Sequence, residues 1–284
     1  MSVKIIECPR DAMQGMKVFI PTEKKAAYIN QLLKVGFDTI DFGSFVSPKA
    51  IPQLRDTADV LSHLDLSTTK TKLLAIIANE RGAQDALSFE EIDYLGYPFS
   101  ISETFQLRNT NSTIAQSLTK VERIQNMCQN ANKKLVIYIS MAFGNPYGEL
   151  WSGDLAAEWT ERLTADLGVE VIALSDTVGV SDEQNIKQLF ETIIPAFPKV
   201  EIGAHLHTRP EHAEQKVKTA YMAGCRRFDA AIKGYGGCPM AEDDLVGNLA
   251  TESLIQSLNT LSEPSIDENE FGRALALAGT TFPL

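Results

Sequence analysis

Strand-like and helix-like patterns alternate about eight times along this chain, and that rhythm restricts its fold more than any single motif does. Short apolar, β-branched runs read as strands at residues 3–7, 38–42, 72–78, 135–141, 169–174, 200–204 and 227–231. A further strand falls at 92–94 or at 98–101. Longer amphipathic runs at 22–35, 51–64, 80–87, 112–130, 154–166, 181–197, 210–223 and 245–258 read as helices, the first with Thr22 as N-cap and Gly36 as stop. Connections of only a few residues favour parallel strands joined by crossover helices. Eight such units fit an α/β fold of the (β/α)8 or TIM-barrel kind, a single domain over residues 1–284. The barrel would occupy about 3–260, and a short tail over 262–284 carries a helix-like stretch at 268–278. A doubly wound open sheet is the competing arrangement.

The placement of polar residues separates the two. Asp11 follows the first strand, Ser44 the second, Asn79 the third, Asn145 the fifth and Asp176 the sixth. His205 and His207 end the seventh, and residues 234–238 with Asn248 follow the eighth. The C-terminal ends of the strands form the active face of a barrel. Closure also makes the first and eighth strands neighbours, which brings Asp11 and Asn248 to the histidines; an open sheet does not require this.

Composition narrows the function classes. A net charge of −11 argues against a nucleic-acid backbone as partner, because phosphate binding needs a basic face. No apolar run approaches the roughly 18 residues of a membrane span, and the first residues run straight into a strand pattern, not a signal peptide. The four cysteines, Cys8, Cys128, Cys225 and Cys238, are scattered without a C-x-x-C pair, as expected of reduced thiols in the cytoplasm.

His205 and His207 stand one residue apart on a strand, so both side chains point to one face. With Asp11 and Asn248 they offer two imidazoles, a carboxylate and an amide oxygen. That mixed set suits an octahedral Mg²⁺ or Mn²⁺ with open positions, with Zn²⁺ also possible. Arg10 is either a cation placed to stabilise an enolate or carbonyl oxygen, or one half of an ion pair at the barrel mouth. Glu7, on the first strand, would pair with a cation or a hydroxyl. The run Gly234-Tyr-Gly-Gly-Cys238-Pro is either a mobile loop that delivers a thiol proton or a tight turn with an incidental cysteine. Cys8, Cys128 and Cys225 read as buried structural thiols, and His63 and His212 as surface or capping residues.

Seven co-ordered motifs then carry a resemblance. They are Glu7-Cys-Pro-Arg-Asp-Ala-Met-Gln14, Gly43-Ser-Phe-Val-Ser-Pro-Lys49, Ser102-Glu-Thr-Phe with Asn109-Thr-Asn111, Ala142-Phe-Gly-Asn-Pro-Tyr147, Leu174-Ser-Asp-Thr-Val-Gly179, His205-Leu-His207, and Gly236-Gly-Cys-Pro with Gly247-Asn-Leu-Ala-Thr-Glu252. In this order they resemble the 3-hydroxy-3-methylglutaryl-CoA lyase family. The resemblance implies a metal-dependent carbon–carbon lyase that turns a 3-hydroxyacyl-CoA into acetyl-CoA and a keto acid. It implies a homodimer and a metal held by Asp11, His205, His207 and Asn248. Asp11 or His205 would be the base, Arg10 would face the thioester enolate, and Cys238 would help to protonate it. Gln14, Asp41, Ser44, Asn109, Asn111 and Asp176 fall at substrate-side or supporting positions, as does Glu7. Lys49, Arg108 and Lys233 are the basic candidates for coenzyme A.

The chain also departs from that pattern. Asp41 stands where the lyases carry a glutamate, and Thr208 where an aspartate follows the second histidine. The ligand positions match while several substrate-side ones differ. Two alternatives follow: an aldolase or acetyl-CoA-condensing relative acting on another hydroxy or keto acid, and a degraded barrel that binds a CoA thioester without turnover.

Overall fold

The computed structural model describes residues 2–237, 246–261 and 266–282. Eight parallel strands close into a barrel in sequence order: β1 (Lys4–Glu7), β2 (Thr39–Ser44), β3 (Lys72–Ile76), β4 (Tyr94–Ser100), β5 (Lys134–Ser140), β6 (Val171–Asp176), β7 (Glu201–Leu206) and β8 (Arg227–Ala230). The closing seam pairs β1 with β8, Lys4 opposite Arg227 and Glu7 opposite Ala230. The open-sheet alternative is thereby excluded.

Side chains alternate across each strand. Ile40, Phe42, Ile137 and Ile139 point outward into the large apolar layer beneath the helices. Leu74, Ile76, Tyr94, Val136, Tyr138, Val171 and Ala173 fill the lumen as a second, smaller core. The outer ring comprises α1 (Pro9–Gln14), α2 (Thr22–Leu32), α3 (Thr57–Ser62), α4 (Glu80–Leu87), α5 (Glu103–Thr110), α6 (Ile114–Asn130), α7 (Gly153–Glu161), α8 (Glu183–Ala196), α9 (Pro210–Met222), α10 (Thr251–Asn259) and α11 (Glu268–Thr281). Polar side chains start several of them: Asn79 accepts from Gly82 N, Ser102 from Phe105 N, and Thr113 and Asp182 form reciprocal caps with Gln116 and Asn185. No helix among the described residues is long and apolar enough to cross a membrane.

Four local expectations change. Strand β4 is one continuous element spanning the gap between its two candidate segments. A Cβ at its Gly96 would lie 2.5 Å from Ile76 Cδ1 and 3.0 Å from Tyr138 Cε2, so the glycine makes room for the lumen core. Helix α2 is capped by Pro21 without a side-chain bond, because Thr22 Oγ1 donates instead to Asp56 Oδ2 at 2.8 Å. Helices α1 and α5 arise where no helix was expected, directly after strand ends. Finally, α10 starts at Thr251, not at 245, because residues 247–250 run extended between the ends of β7 and β8. There Thr208 N donates to Gly247 O, Leu249 N to Leu206 O and Ala231 N to Leu249 O.

Candidate active site and metal centre

That extended segment delivers Asn248 to the same end of the barrel as the two histidines, opposite which α1 places Arg10 and Asp11 immediately after β1. The ligand atoms of Asp11, His205 and His207 all lie within 4.8 Å of one another. They stand at one wall of a cavity of about 470 Å³, which Gln14, Asn109, Arg108, Tyr138, Ser140, Ser175 and Thr177 also line. Val46, Ile51, Ile76, Pro98 and Phe105 add an apolar lining.

Arg10 is buried and makes a fork. Its Nε and Nη2 donate to Asp41 Oδ2 at 3.0 and 2.5 Å, and its Nη1 to Asp11 Oδ1 at 2.7 Å and Gln14 Oε1 at 3.0 Å. Burial would raise the Asp11 carboxyl, but Arg10, His205 and His207 together with the Asn248 amide hold it down at about 2. Asp41 goes the other way, to about 6, because burial outweighs its bond to Arg10.

His205 Nδ1 lies 3.2 Å from Asp229 Oδ2, and its Nε2 4.0 Å from Asp11 Oδ2. Burial disfavours its charged form, yet the hydrogen bond and charge of Asp229, helped by Asp11, raise its pKa overall. For His207, burial and the neighbouring His205 prevail and bring it down to about 4, so its ring is a neutral imidazole. His207 Nδ1 is buried without a hydrogen-bond partner. Orphaned buried polar atoms are uncommon, and a neutral imidazole next to a carboxylate and a second imidazole is a donor set that fits a divalent cation.

Asn248 joins the site through its amide nitrogen. Its Nδ2 donates to Asp11 Oδ2 and to Tyr235 O, both at 2.8 Å. Both partners can only accept, so the group facing them must be the amide nitrogen. In this arrangement the Asn248 amide nitrogen steadies the Asp11 carboxylate. Gly236 packs against the pair: with φ of +91°, a Cβ there would sit 2.6 Å from Asp11 O and 2.7 Å from Asn248 Nδ2.

The other expected residues divide. Gln14 and Asn109 reach the cavity wall. Asn111 does not; it ends α5 in the left-handed region at φ of 50° and is exposed. Ser44 lines a neighbouring hollow, its Oγ accepting from Val46 N. Asp176 accepts from Val180 N, Ser181 and Lys216 Nζ, and the same ammonium donates to His207 O at 3.2 Å, so it buttresses the histidine's backbone from behind. Glu7 turns away from the lumen and meets Thr251 Oγ1 and Ile232 N. Arg108 stands at the cavity, over the Tyr147 ring, whereas Lys49 and Lys233 are exposed outside it. Cys238 lies outside the described residues. Cys8, Cys128 and Cys225 are buried and free.

Asp229 and Arg227 were not anticipated. They lie two residues apart on β8, the same spacing that drew attention to the histidines of β7, and the same alternation reading would have found them. Together they complete a ladder of charge down the lumen. Lys4 meets Glu201, Glu201 meets Arg227 at 3.2 Å, and Arg227 approaches Asp229 at 3.9 Å. Asp229 then meets His205, which leads through Asp11 and Arg10 to Asp41.

Known proteins share this architecture along nearly its whole length. Hydroxymethylglutaryl-CoA lyase YngG of Bacillus subtilis is 34% identical over 256 residues, covering 89% of this chain and 83% of that protein. The cytoplasmic 3-hydroxy-3-methylglutaryl-CoA lyase of Rattus norvegicus is 34% identical over 260 residues, 90% of this chain and 74% of the relative. The structure of an HMG-CoA lyase from Acinetobacter baumannii, in complex with coenzyme A and 3-methylmalate, superposes with a TM-score of 0.89 at 30% identity, covering 100% of this chain and 93% of that one. The HMGL-like family model matches residues 3–276, a span that runs from the first strand into α11 and takes in every residue of the candidate metal centre, and the chain therefore belongs to the HMGL-like family.

Proposed function

We propose that the protein is a divalent-metal-dependent carbon–carbon lyase that cleaves 3-hydroxy-3-methylglutaryl-CoA into acetyl-CoA and acetoacetate. The observation that carries the reading is the convergence of Asp11, His205 and His207 on one cavity wall, in a chain whose relatives are lyases of that substrate. Mg²⁺ or Mn²⁺ matches the donor set, and when bound such an ion supplies Lewis acidity toward the substrate's oxygens. The coenzyme A in the related structure supports a CoA thioester as the ligand.

The chain's own residues have separable tasks. Asp11 or His205 takes the proton of the tertiary hydroxyl as the carbon–carbon bond breaks, and the hydroxyl carbon becomes the ketone of acetoacetate. The electron pair of that bond passes to the thioester as an enolate. Arg10 faces it with a guanidinium whose orientation is fixed by Asp41 on one side and Asp11 on the other. A proton returned to carbon, from the Cys238 thiol in this reading, completes acetyl-CoA. The apolar lining formed by Val46, Ile51 and Phe105 excludes water from the enolate.

The supporting positions carry over as part of the proposal, Gln14 and Asn109 at the substrate and Asp176 behind His207. We further propose a cytoplasmic homodimer, in keeping with its free buried thiols. Acetyl-CoA release from the purified protein should need added Mg²⁺ or Mn²⁺ and stop with a chelator. Stoichiometric metal binding with no turnover would discard the substrate and retain the site.

A further inference from the structure

The carboxylate of Asp229 is buried beneath the metal centre, and no step of the proposed reaction employs it. Strands β7 and β8 pair with His205 opposite Asp229, so the two side chains enter the lumen side by side. The carboxylate is fully enclosed, and its Oδ2 is 3.2 Å from His205 Nδ1. A carboxylate facing a ring nitrogen accepts, so Nδ1 carries the hydrogen and, in the neutral ring that binds a metal, Nε2 keeps its lone pair. Nε2 is the nitrogen that faces Asp11. The Tyr138 ring meets the imidazole edge-on, with centroids 5.6 Å apart and planes at 83°, and limits its rotation. His207 lacks any equivalent partner at Nδ1. Its main chain is held by the bridge to Asn248 instead.

We infer that Asp229 is a positioning residue of the metal centre: it fixes the tautomer and ring orientation of His205 so that Nε2 is presented to the ion. Arg227, whose Nε lies 3.9 Å from Asp229 Oδ1, stands on the carboxylate's other side and opposes its movement away from the ring. The inference rests on the metal-site reading above and goes beyond it by naming a residue that touches neither ion nor substrate. Removing the partner of a ligating imidazole typically lowers metal affinity about 10–100-fold.

The test is calorimetric titration of Mn²⁺ into metal-free wild type and Asp229→Asn, with melting curves as a fold control, alongside ¹⁵N NMR of the imidazoles. The chain has 4 histidines, so the His205 signals can be assigned by substitution. Expected are a folded variant with Mn²⁺ affinity reduced about 10–100-fold, and a wild-type His205 protonated at Nδ1. Equal affinity in the two proteins, within about twofold against that expected loss, would overturn the role of Asp229. So would a neutral wild-type His205 ring protonated at Nε2 and not at Nδ1, and this second measurement decides the matter even if the variant does not fold. Wild type that binds no Mn²⁺ overturns the metal site itself, a result distinct from equal binding.

Discussion

Replacing Glu7 by Gln should make the protein less sensitive to alkaline pH. The Glu7 carboxyl is wholly buried at the end of β1, where burial pushes it up to about 8 despite hydrogen bonds from Thr251 and Ile232. In the unfolded chain the same group titrates near 4.5. Between these values the folded state holds a proton that the unfolded state has released, so stability falls as pH rises through the window and levels off above it. At 1.36 kcal/mol per pH unit the full difference is about 5 kcal/mol. For a chain of this length the unfolding entropy makes that roughly 8 °C in Tm. Glutamine reproduces the protonated form: its oxygen can accept from Ile232 N, and its amide can donate to Thr251 Oγ1. Melting curves from pH 5 to 9 should therefore coincide at the acid end and separate by roughly 8 °C at the alkaline end, Glu7→Gln being the more stable. All other titrating groups are common to both proteins, so the difference isolates Glu7. Curves that stay parallel across the range would falsify the argument.

Three further substitutions probe the site. Arg10→Lys keeps the charge but cannot span Asp41, Asp11 and Gln14 together; kcat for acetyl-CoA release should fall about 10²–10³-fold, and a loss below fivefold, against about 10²-fold expected, would refute the fork's importance. Asp41→Ala leaves the buried guanidinium with only Asp11 as its charged partner and should cost about 3–5 kcal/mol in urea unfolding; an unchanged midpoint would count against it. Gly236→Ala forces a methyl against Asp11 and Asn248 at a positive φ, so activity should drop at least about tenfold while the far-ultraviolet spectrum stays native; full activity would show that this turn relaxes freely.

Much of this was legible without coordinates, because a period of two in the strands and a period near 3.6 in the helices mark the core faces directly. The His205–His207 spacing and the polar residues at strand ends located the active face for the same reason. Three features were hidden, each where tertiary packing outweighs local preference. The unbroken run of β4 through Gly96 makes sense only with the crowded lumen around Tyr138. Residues 247–250 read as the start of a helix, yet their backbone bonds to β7 and β8 hold them extended. The posture of Asn248 depends on two acceptors, Tyr235 O and Asp11 Oδ2, far apart in sequence from each other. Asp229 was missed for another reason: with Arg227 it repeats the two-residue spacing of the histidines, but only its register with His205 says what it does.

The charge ladder has a consequence for recombination. Its rungs on β1, α1 and β2, Lys4, Arg10, Asp11 and Asp41, belong to the N-terminal half-barrel, and those on β7 and β8 belong to the C-terminal half. The run crosses between halves twice, at Lys4–Glu201 and at His205–Asp11, once near each end of the closing seam. A chimera that joins this N-terminal half to the C-terminal half of another barrel must therefore match charge at two heights, whatever its loops supply. Fragments split between β4 and β5 carry the same requirement: their reassembly is read by those two contacts, and a donor half that satisfies only the lower one would close the barrel without completing the site above it.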